Sequence, residues 1–125
     1  MKLLGIISIL FSANLYADIY PTYCSNYGPG VSYSYQSCIN SNFSQFAREL
    51  DAYVGHCYNY GDRVSYSFTS CVNNNFREID RHLGTYSGFC TSYGDDLSYS
   101  FVSCVYRNFS EAARVINTSD TQSPL

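Results

Sequence analysis

The chain has 125 residues, and removal of a predicted leader (residues 1–17) leaves 108, enough for one small domain. Residues 18–125 contain six Arg, no Lys and ten acidic residues, so their formal charge is 6 − 10, or −4. This balance argues against a basic nucleic-acid interface and against a polybasic membrane patch. Six Cys and 14 Tyr in a chain with few charged side chains indicate an exported domain held by disulfides.

The N-terminus has the features of a secretory signal peptide over residues 1–17. A single Lys2 precedes an apolar run from Leu3 to Phe11, and Ala17 lies at a plausible cleavage point. The run is too short to span a bilayer core of about 30 Å, and no later segment is apolar enough to do so. We therefore expect a secreted or periplasmic protein with no membrane span in the mature chain.

The strongest pattern in the sequence is an internal repeat of 33 residues. The three copies begin CSNYGPGVSYSYQSC at Cys24, CYNYGDRVSYSFTSC at Cys57 and CTSYGDDLSYSFVSC at Cys90, and they align without a gap. Eleven columns are identical in all three copies. A unit of this length cannot bury its own apolar face and must pack on its neighbours. We predict one domain over residues 18–116, built of repeats 24–56, 57–89 and 90–116, with a flexible tail over residues 117–125.

Each repeat predicts a short connector followed by one long helix of about twenty residues. In the second repeat, seven residues fall on one face at helical spacing: Val64, Phe68, Cys71, Val72, Phe76, Ile79 and Leu83. Asp62 is a possible cap at the start of this helix, and Gly84 a stop signal at its end. The first and third repeats carry the same apolar stripe. The predicted fold is mainly α, with three tandem disulfide-stapled helical units in a compact array, and each connector could itself form a short helix or turn.

A second interpretation is α+β, with a short hairpin in each unit. The segments VSYSY, VSYSF and LSYSF alternate strictly and are rich in residues that favour strands. In this interpretation a hairpin turns at Gly61-Asp62, and only the part after Cys71 is helical. The helical interpretation is favoured because its stripe continues for five turns, whereas the alternation lasts five residues.

The cysteines are expected to form structural disulfides within each repeat. Equivalent units most simply close equivalent loops, which gives Cys24–Cys38, Cys57–Cys71 and Cys90–Cys104. The alternative joins Cys38–Cys57, Cys71–Cys90 and Cys24–Cys104. A metal site is not indicated, because no Cys-x-x-Cys pair and no suitably placed His are present.

Catalytic signals are weak throughout the sequence. No nucleophile elbow, phosphate loop or zinc-protease motif is present. His56 and His82 do not recur at equivalent positions of the other repeats, and Asp95-Asp96 fits helix capping better than a calcium loop. We therefore predict a protein that is not an enzyme and that uses no cofactor and no metal.

Two repeated polar positions have structural interpretations. Asn42, Asn75 and Asn108 lie within the apolar stripe, so each is expected to hydrogen-bond backbone groups of a connector. Tyr27, Tyr60 and Tyr93 each precede a Gly and are expected to cover a disulfide.

Asn117, in the predicted tail, is the one credible glycosylation site, and only in a eukaryote.

The helical wheel places a repeated Tyr/Ser/Arg face opposite the core stripe. Its members are Tyr33, Ser37 and Arg48, then Tyr66, Ser70 and Arg81, then Tyr99, Ser103 and Arg114. In one interpretation this face packs against the neighbouring unit, since a middle helix would be buried on two sides. In the other it is an exposed binding surface, because Tyr and Arg dominate binding hot spots.

The sequence therefore predicts a non-enzymatic binding module that recognises a protein or an envelope glycan through this face. The alternative is a structural or envelope-associated protein that associates with copies of itself.

Overall fold

The computed structural model describes residues 16–122 and contains three α-helices. They are α1 (Tyr33–Leu50), α2 (Tyr66–Leu83) and α3 (Tyr99–Gln122). The segments before them, connector 1 (residues 16–32), connector 2 (51–65) and connector 3 (84–98), have bends and turns but no helix or strand. The mainly α prediction is thus confirmed, and within the described residues the hairpin interpretation and a helix in the connectors are wrong. Most of the predicted signal peptide lies outside the described residues.

Each helix is capped by a serine, and in α2 this serine takes the place of the aspartate, Asp62, that we named as a possible cap. The hydroxyls of Ser32, Ser65 and Ser98 accept hydrogen bonds from the backbone N–H three residues later, at 3.2, 3.2 and 3.3 Å. Asp62 lies three residues too early to cap α2. The segments VSYSY, VSYSF and LSYSF therefore contain the helix start instead of a strand. Their first serine caps the helix N-terminus with its side chain, and the Tyr that follows is the first helical residue.

The helix ends agree with the sequence for α2 and differ for α3. Gly84 follows α2 with φ of 70° and donates its N–H to the carbonyl of Asp80 at 2.7 Å. By contrast, α3 continues to Gln122, so the first residues of the predicted tail are helical. The Asn117 side chain exchanges two hydrogen bonds, of 3.0 and 3.1 Å, with the backbone of the buried Ile19. This amide is engaged in tertiary structure, which makes Asn117 a poor glycosylation site.

The three units close into a ring with approximate three-fold symmetry. The equivalent Phe43, Phe76 and Phe109 contact one another in all three pairs, with ring centroids 4.8–5.0 Å apart. The loops before the helices also meet, since Val64 N–H donates to Asp95 O at 2.9 Å. Equivalent parts of the helices therefore lie at equal heights, and the three helices run parallel.

The core consists of layers that each take one equivalent residue from every helix. Apolar side chains spaced by three or four residues form these layers, so each helix presents one continuous stripe to the axis. From the N-terminal end, the layers are Tyr35/Phe68/Phe101, Ile39/Val72/Val105, Phe43/Phe76/Phe109, Phe46/Ile79/Ala112 and Leu50/Leu83/Ile116. In the fourth layer Phe46 reaches over the small Ala112 and stacks on Phe109 at 5.8 Å.

The disulfides join each connector to the second turn of its own helix. The pairs are Cys24–Cys38, Cys57–Cys71 and Cys90–Cys104, with Cα atoms 5.6–5.7 Å apart and no free cysteine. This is the pairing that the repeat predicts. Each loop closure stabilises the fold by about 3 kcal/mol in the chain-entropy model. Three disulfides are typical of a chain that folds in an oxidising extracellular environment.

Buried asparagines hold the connectors where no sheet or helix can. The Asn75 amide donates to Gly55 O and accepts from Gly55 N–H, both at 2.8 Å. Asn42 makes the same pair of bonds with Thr22, and Asn108 with Gly88. These three residues, the core asparagines, confirm the expectation that each bonds the backbone of a connector. They satisfy backbone groups that would otherwise be buried without partners.

The loops at the N-terminal end of the helices meet closely around Gly30. Its N–H donates to the Asp96 carboxylate at 2.8 Å, and its carbonyl accepts from Leu97 N–H at 3.2 Å. A Cβ atom at Gly30 would lie 2.7 Å from the carbonyl oxygen of Asp62. Asp95 and Asp96 therefore join loops of different units instead of capping α3, which corrects our expectation for this acidic pair.

No helix in the described part of the chain has the length and apolar character needed to cross a bilayer.

We predict that Asn75→Ala destabilises the protein by about 2–4 kcal/mol, because both polar groups of Gly55 lose their partner. The matched control is Asn74→Ala, an exposed neighbour on the same helix, which we expect to change the free energy of unfolding by less than about 0.5 kcal/mol. Urea unfolding followed by circular dichroism measures both. Equal effects of the two substitutions would contradict the role given to the core asparagines.

A second prediction concerns the contact at Gly30. Gly30→Ala and Gly28→Ala both place a side chain at positive φ (66° and 78°), which costs about 1–2 kcal/mol. Only Gly30 also meets a neighbouring loop, since Gly28 faces open space. We expect Gly30→Ala to lower the melting temperature further than Gly28→Ala, by the equivalent of about 1–3 kcal/mol. Equal melting temperatures of the two variants in a thermal scan would show that the loops do not pack as described.

Candidate functional site

Each connector lies in the cleft between its own helix and the helix of the preceding unit. Its own helix holds it through the disulfide and a core asparagine. The preceding helix holds connector 2 through Asn40, whose amide exchanges two 2.8 Å hydrogen bonds with the backbone of Cys57. Asn73 does the same for connector 3 at Cys90. The third such cleft, or seam, lies between α3 and connector 1. There Tyr106 of α3 packs edge-on against Tyr23 of connector 1, with ring centroids 4.9 Å apart.

This arrangement leaves three equivalent grooves, each between a helix and the connector of the next unit around the ring. Their volumes are about 290, 220 and 270 Å³. Groove 1 is lined by Tyr33, Gln36, Ser37, Asn40, Ser41, Ser44, His56 and Tyr58. Groove 2 is lined by equivalent residues shifted by 33 positions, including Tyr66, Ser70, Arg77 and Phe89. Groove 3 is lined by Tyr23, Ser25, Asn26, Leu97, Tyr99 and Val102.

The tyrosines of the predicted Tyr/Ser/Arg face are exposed and line these grooves. Tyr33, Tyr66 and Tyr99, here called the first-turn tyrosines, have exposed fractions of 79%, 84% and 78%. The interpretation that this face is buried between units is therefore wrong for the tyrosines. The physical reason is closure of the ring, because three units around an axis include no middle helix that is covered on two sides.

The serines of the face lie beside the tyrosines, one turn further along each helix. Ser37 and Ser70 line grooves 1 and 2. Ser37 is exposed, whereas Ser70 and Ser103 are half-buried. In the first two units the tyrosine and the serine therefore line one groove, whereas Ser103 does not line groove 3.

The arginines of the face lie at the other end of the helices and outside the grooves. Arg81 follows Tyr66 by fifteen residues, which separates them by about 22 Å along the axis. Arg81 pairs with Glu78, and Arg114 pairs with Glu111. The hydrogen bond from Arg114 lowers the pKa of the Glu111 carboxyl below its ordinary value. Arg48 has Gln45 in place of the glutamate. The structure does not bring the arginines together with the tyrosines.

Several groove residues were not selected from the sequence. The connector walls carry Tyr23, His56 and Phe89 at equivalent positions, so each groove has an aromatic ring opposite its helix. These three aromatic residues recur every 33 positions, but the residue type differs from copy to copy. A search for identical residues in the three copies therefore does not find them.

The tyrosines that were expected to cover the disulfides do not do so. Tyr27, Tyr60 and Tyr93 are exposed, while Cys24, Cys57 and Cys90 are buried without them. Helices and core asparagines shield the sulfur atoms instead, and Asn75 Nδ2 lies 3.4 Å from Cys57 Sγ. These rings belong to the same end of the molecule as the first-turn tyrosines.

The two histidines lie on different elements of the described structure, His56 in connector 2 and His82 in α2. His56 lines groove 1 and packs on Tyr58, with ring centroids 4.3 Å apart. His82 lies in the last turn of α2 beside Glu78, at 3.3 Å. Among the described residues, no group of three or more His, Cys, Asp or Glu side chains could hold a metal ion.

No protein-family model, no curated protein and no solved structure matches this chain. The site is therefore interpreted from its own geometry.

Tyr35 is the one exception to the exposure of tyrosine near the grooves. It occupies the core layer where the other helices have Phe68 and Phe101, and its side chain is completely buried. Its hydroxyl lies in the seam against α3 and has no hydrogen-bond partner in the described part of the chain. Burial, and to a smaller extent the nearby Tyr23, raises the pKa of this hydroxyl well above its ordinary value.

We predict that Tyr35→Phe stabilises the protein by about 1 kcal/mol at neutral pH, because it removes an unpaired buried hydroxyl. The stability of the native protein should fall above about pH 10, where this hydroxyl ionises in the unfolded chain but remains neutral in the folded one. The advantage of Tyr35→Phe should therefore grow as the pH rises. Urea unfolding at pH 7 and above pH 10 tests this, with Tyr33→Phe as the exposed control. A Tyr35→Phe variant less stable than the native protein at both pH values would contradict it.

Proposed function

We propose that this protein is an exported, non-enzymatic binding module, secreted or periplasmic, whose three grooves recognise a protein or glycan ligand. The observation that carries the proposal is the repetition of one exposed aromatic and hydroxyl surface around the axis. A first-turn tyrosine and an aromatic ring on the connector wall recur in each groove, and grooves 1 and 2 also share a serine one turn after the tyrosine.

The exposure of the first-turn tyrosines supports a binding role. A tyrosine ring offers a large rigid area and a hydrogen-bonding hydroxyl at a low cost in side-chain entropy. Covering an exposed ring of this size with another molecule is favourable, because apolar area is removed from water. Three such rings at the same end of the molecule form a surface suited to a partner.

The ring geometry also supports binding to a repetitive ligand. Grooves 1, 2 and 3 face outwards around the axis, so one molecule can contact several equivalent groups of a polymer or a cell surface. Linked weak contacts raise the overall affinity because the second binding event occurs at a high effective concentration. The covalent joint in each unit keeps the grooves at fixed positions.

The composition of the grooves supports a function without catalysis. Groove 1 contains one histidine and two tyrosines but no carboxylate, lysine, arginine or cysteine. General acid–base catalysis needs proton donors and acceptors positioned together on the substrate. The serines lining this groove have no base within hydrogen-bond distance in the described part of the chain.

Self-association is a second candidate, favoured by a separate set of rings. Tyr20, Tyr53 and Tyr86, here called the rear tyrosines, occupy equivalent positions near the C-terminal end of the helices and are 73%, 93% and 100% exposed. Both ends of the molecule therefore carry exposed aromatic rings, and copies could stack end to end.

The test uses the purified disulfide-bonded protein and isolated cell surfaces of the producing organism. We predict saturable binding that falls at least about tenfold when the first-turn tyrosines are all changed to Ala (Tyr33→Ala, Tyr66→Ala and Tyr99→Ala), because each ring contributes contact area. The melting temperature should hardly change, since these side chains are exposed.

The matched control changes the rear tyrosines to Ala and should retain binding. Size-exclusion chromatography separates the two candidates, since a binding module stays monomeric at all concentrations. If the rear variant alone loses binding, or if assembly depends on concentration and disappears in that variant, the groove proposal is overturned in favour of self-association.

A further inference from the structure

Groove 1 differs from the other two grooves by a second aromatic side chain on its connector wall, since Tyr58 lies there beside His56 and is followed by Tyr60 just outside the lining. His56, Tyr58 and Tyr60 alternate along connector 2, so they project from the same side of its irregular backbone. The ring centroids of His56 and Tyr58 are 4.3 Å apart, and those of Tyr58 and Tyr60 are 6.0 Å apart. At the position of Tyr58, groove 2 has Thr91 and groove 3 has Ser25.

A row of hydroxyl groups faces these rings from α1. Ser37, Ser41 and Ser44 follow one another at spacings of four and three residues, which places them along one side of the helix. All three are exposed, and their hydroxyls make no hydrogen bond with other described residues. Each hydroxyl can therefore both donate to and accept from a ligand.

The base of groove 1 is fixed before any ligand binds. Gln36 donates to Val31 O at 3.1 Å and accepts from Asn59 N–H at 3.0 Å. Asn40 is held by its two bonds with Cys57. These amides keep the aromatic and hydroxyl walls at a constant separation, and a preorganised site loses less entropy on binding.

The same hydrogen bonds argue against a peptide as the occupant. The N–H and carbonyl groups of Gly55 and Cys57 are already hydrogen-bonded to asparagine side chains. The N–H of Asn59 is hydrogen-bonded to the side chain of Gln36. An extended peptide therefore cannot pair with these groups of connector 2. The lining also offers no aliphatic pocket for a side chain to enter.

We infer that groove 1 is a carbohydrate site for a short neutral oligosaccharide. The apolar faces of sugar rings would stack on His56 and Tyr58, while their hydroxyls would hydrogen-bond with the serine row. The lining carries no formally charged side chain, so an acidic sugar would find no counter-charge. This inference rests on the proposal that the grooves bind ligands, and it specifies the ligand class and the groove.

The experiment is an NMR titration of the intact disulfide-bonded protein with neutral trisaccharides of glucose, mannose, galactose, xylose and N-acetylglucosamine. We expect at least one of them to cause saturable shifts at millimolar concentration in the amide signals of residues 37–44 and 56–60. Tyr58→Ala should weaken that binding at least about fivefold through loss of ring stacking. Thr91→Ala, the equivalent change in groove 2, should leave it unchanged.

Dispersed amide spectra of the Tyr58→Ala and Thr91→Ala variants show that both proteins are folded. A third variant, Tyr58→Phe, keeps the ring and should retain most of the affinity of the native protein. If no trisaccharide causes saturable shifts, or if Thr91→Ala reduces binding as much as Tyr58→Ala, the inference is overturned. Cell-surface binding that still depends on the first-turn tyrosines would then leave the proposed function intact and point to a protein ligand.

Discussion

The pairing of a core asparagine with the backbone of a connector is the interaction on which the remaining structure depends. Connectors 2 and 3 form no helix and no strand, so their backbone groups have no regular partners where they pass through the interior. In the second unit, Asn75 replaces the missing partner by giving one donor and one acceptor to Gly55. The disulfide one turn away fixes the same connector covalently. Without these links the connector could not lie between two helices.

The grooves follow from this burial of irregular backbone. A connector held in a cleft leaves a narrow groove beside the preceding helix, and alternate side chains of the connector form one wall of that groove. Because closure around Phe43, Phe76 and Phe109 makes the three clefts equivalent, the grooves occupy equivalent positions as well. The same closure turns the first-turn tyrosines outwards. Exposed aromatic rings are thus a consequence of the architecture, and the proposed binding role would use them.

The symmetry is incomplete, and the differences have identifiable causes. Between α3 and connector 1, Tyr106 and Tyr23 pack together where the other two clefts use an asparagine and a cysteine backbone, because α3 carries Tyr106 at the position of Asn40 and Asn73. Tyr35 lies in this seam with its hydroxyl unpaired, and Gly30 allows the first loop to approach the second closely. Of the three grooves, only groove 1 has two aromatic rings, His56 and Tyr58, on its connector wall.

The sequence predicted correctly the features that depend on short separations along the chain. The apolar stripe predicted the helices, the repeat predicted the disulfides between residues 14 positions apart, and the polar residue within the stripe predicted the amide of Asn75. It placed the helix start wrongly at Asp62, since Ser65 offers a closer cap. Closure of the ring was decided only by the tertiary structure, through contacts such as Asn117 to Ile19 across 98 residues and Gly30 to Asp96 across 66. Periodicity specifies which face of a helix is apolar, but the number of neighbours that cover the opposite face depends on whether the last unit meets the first.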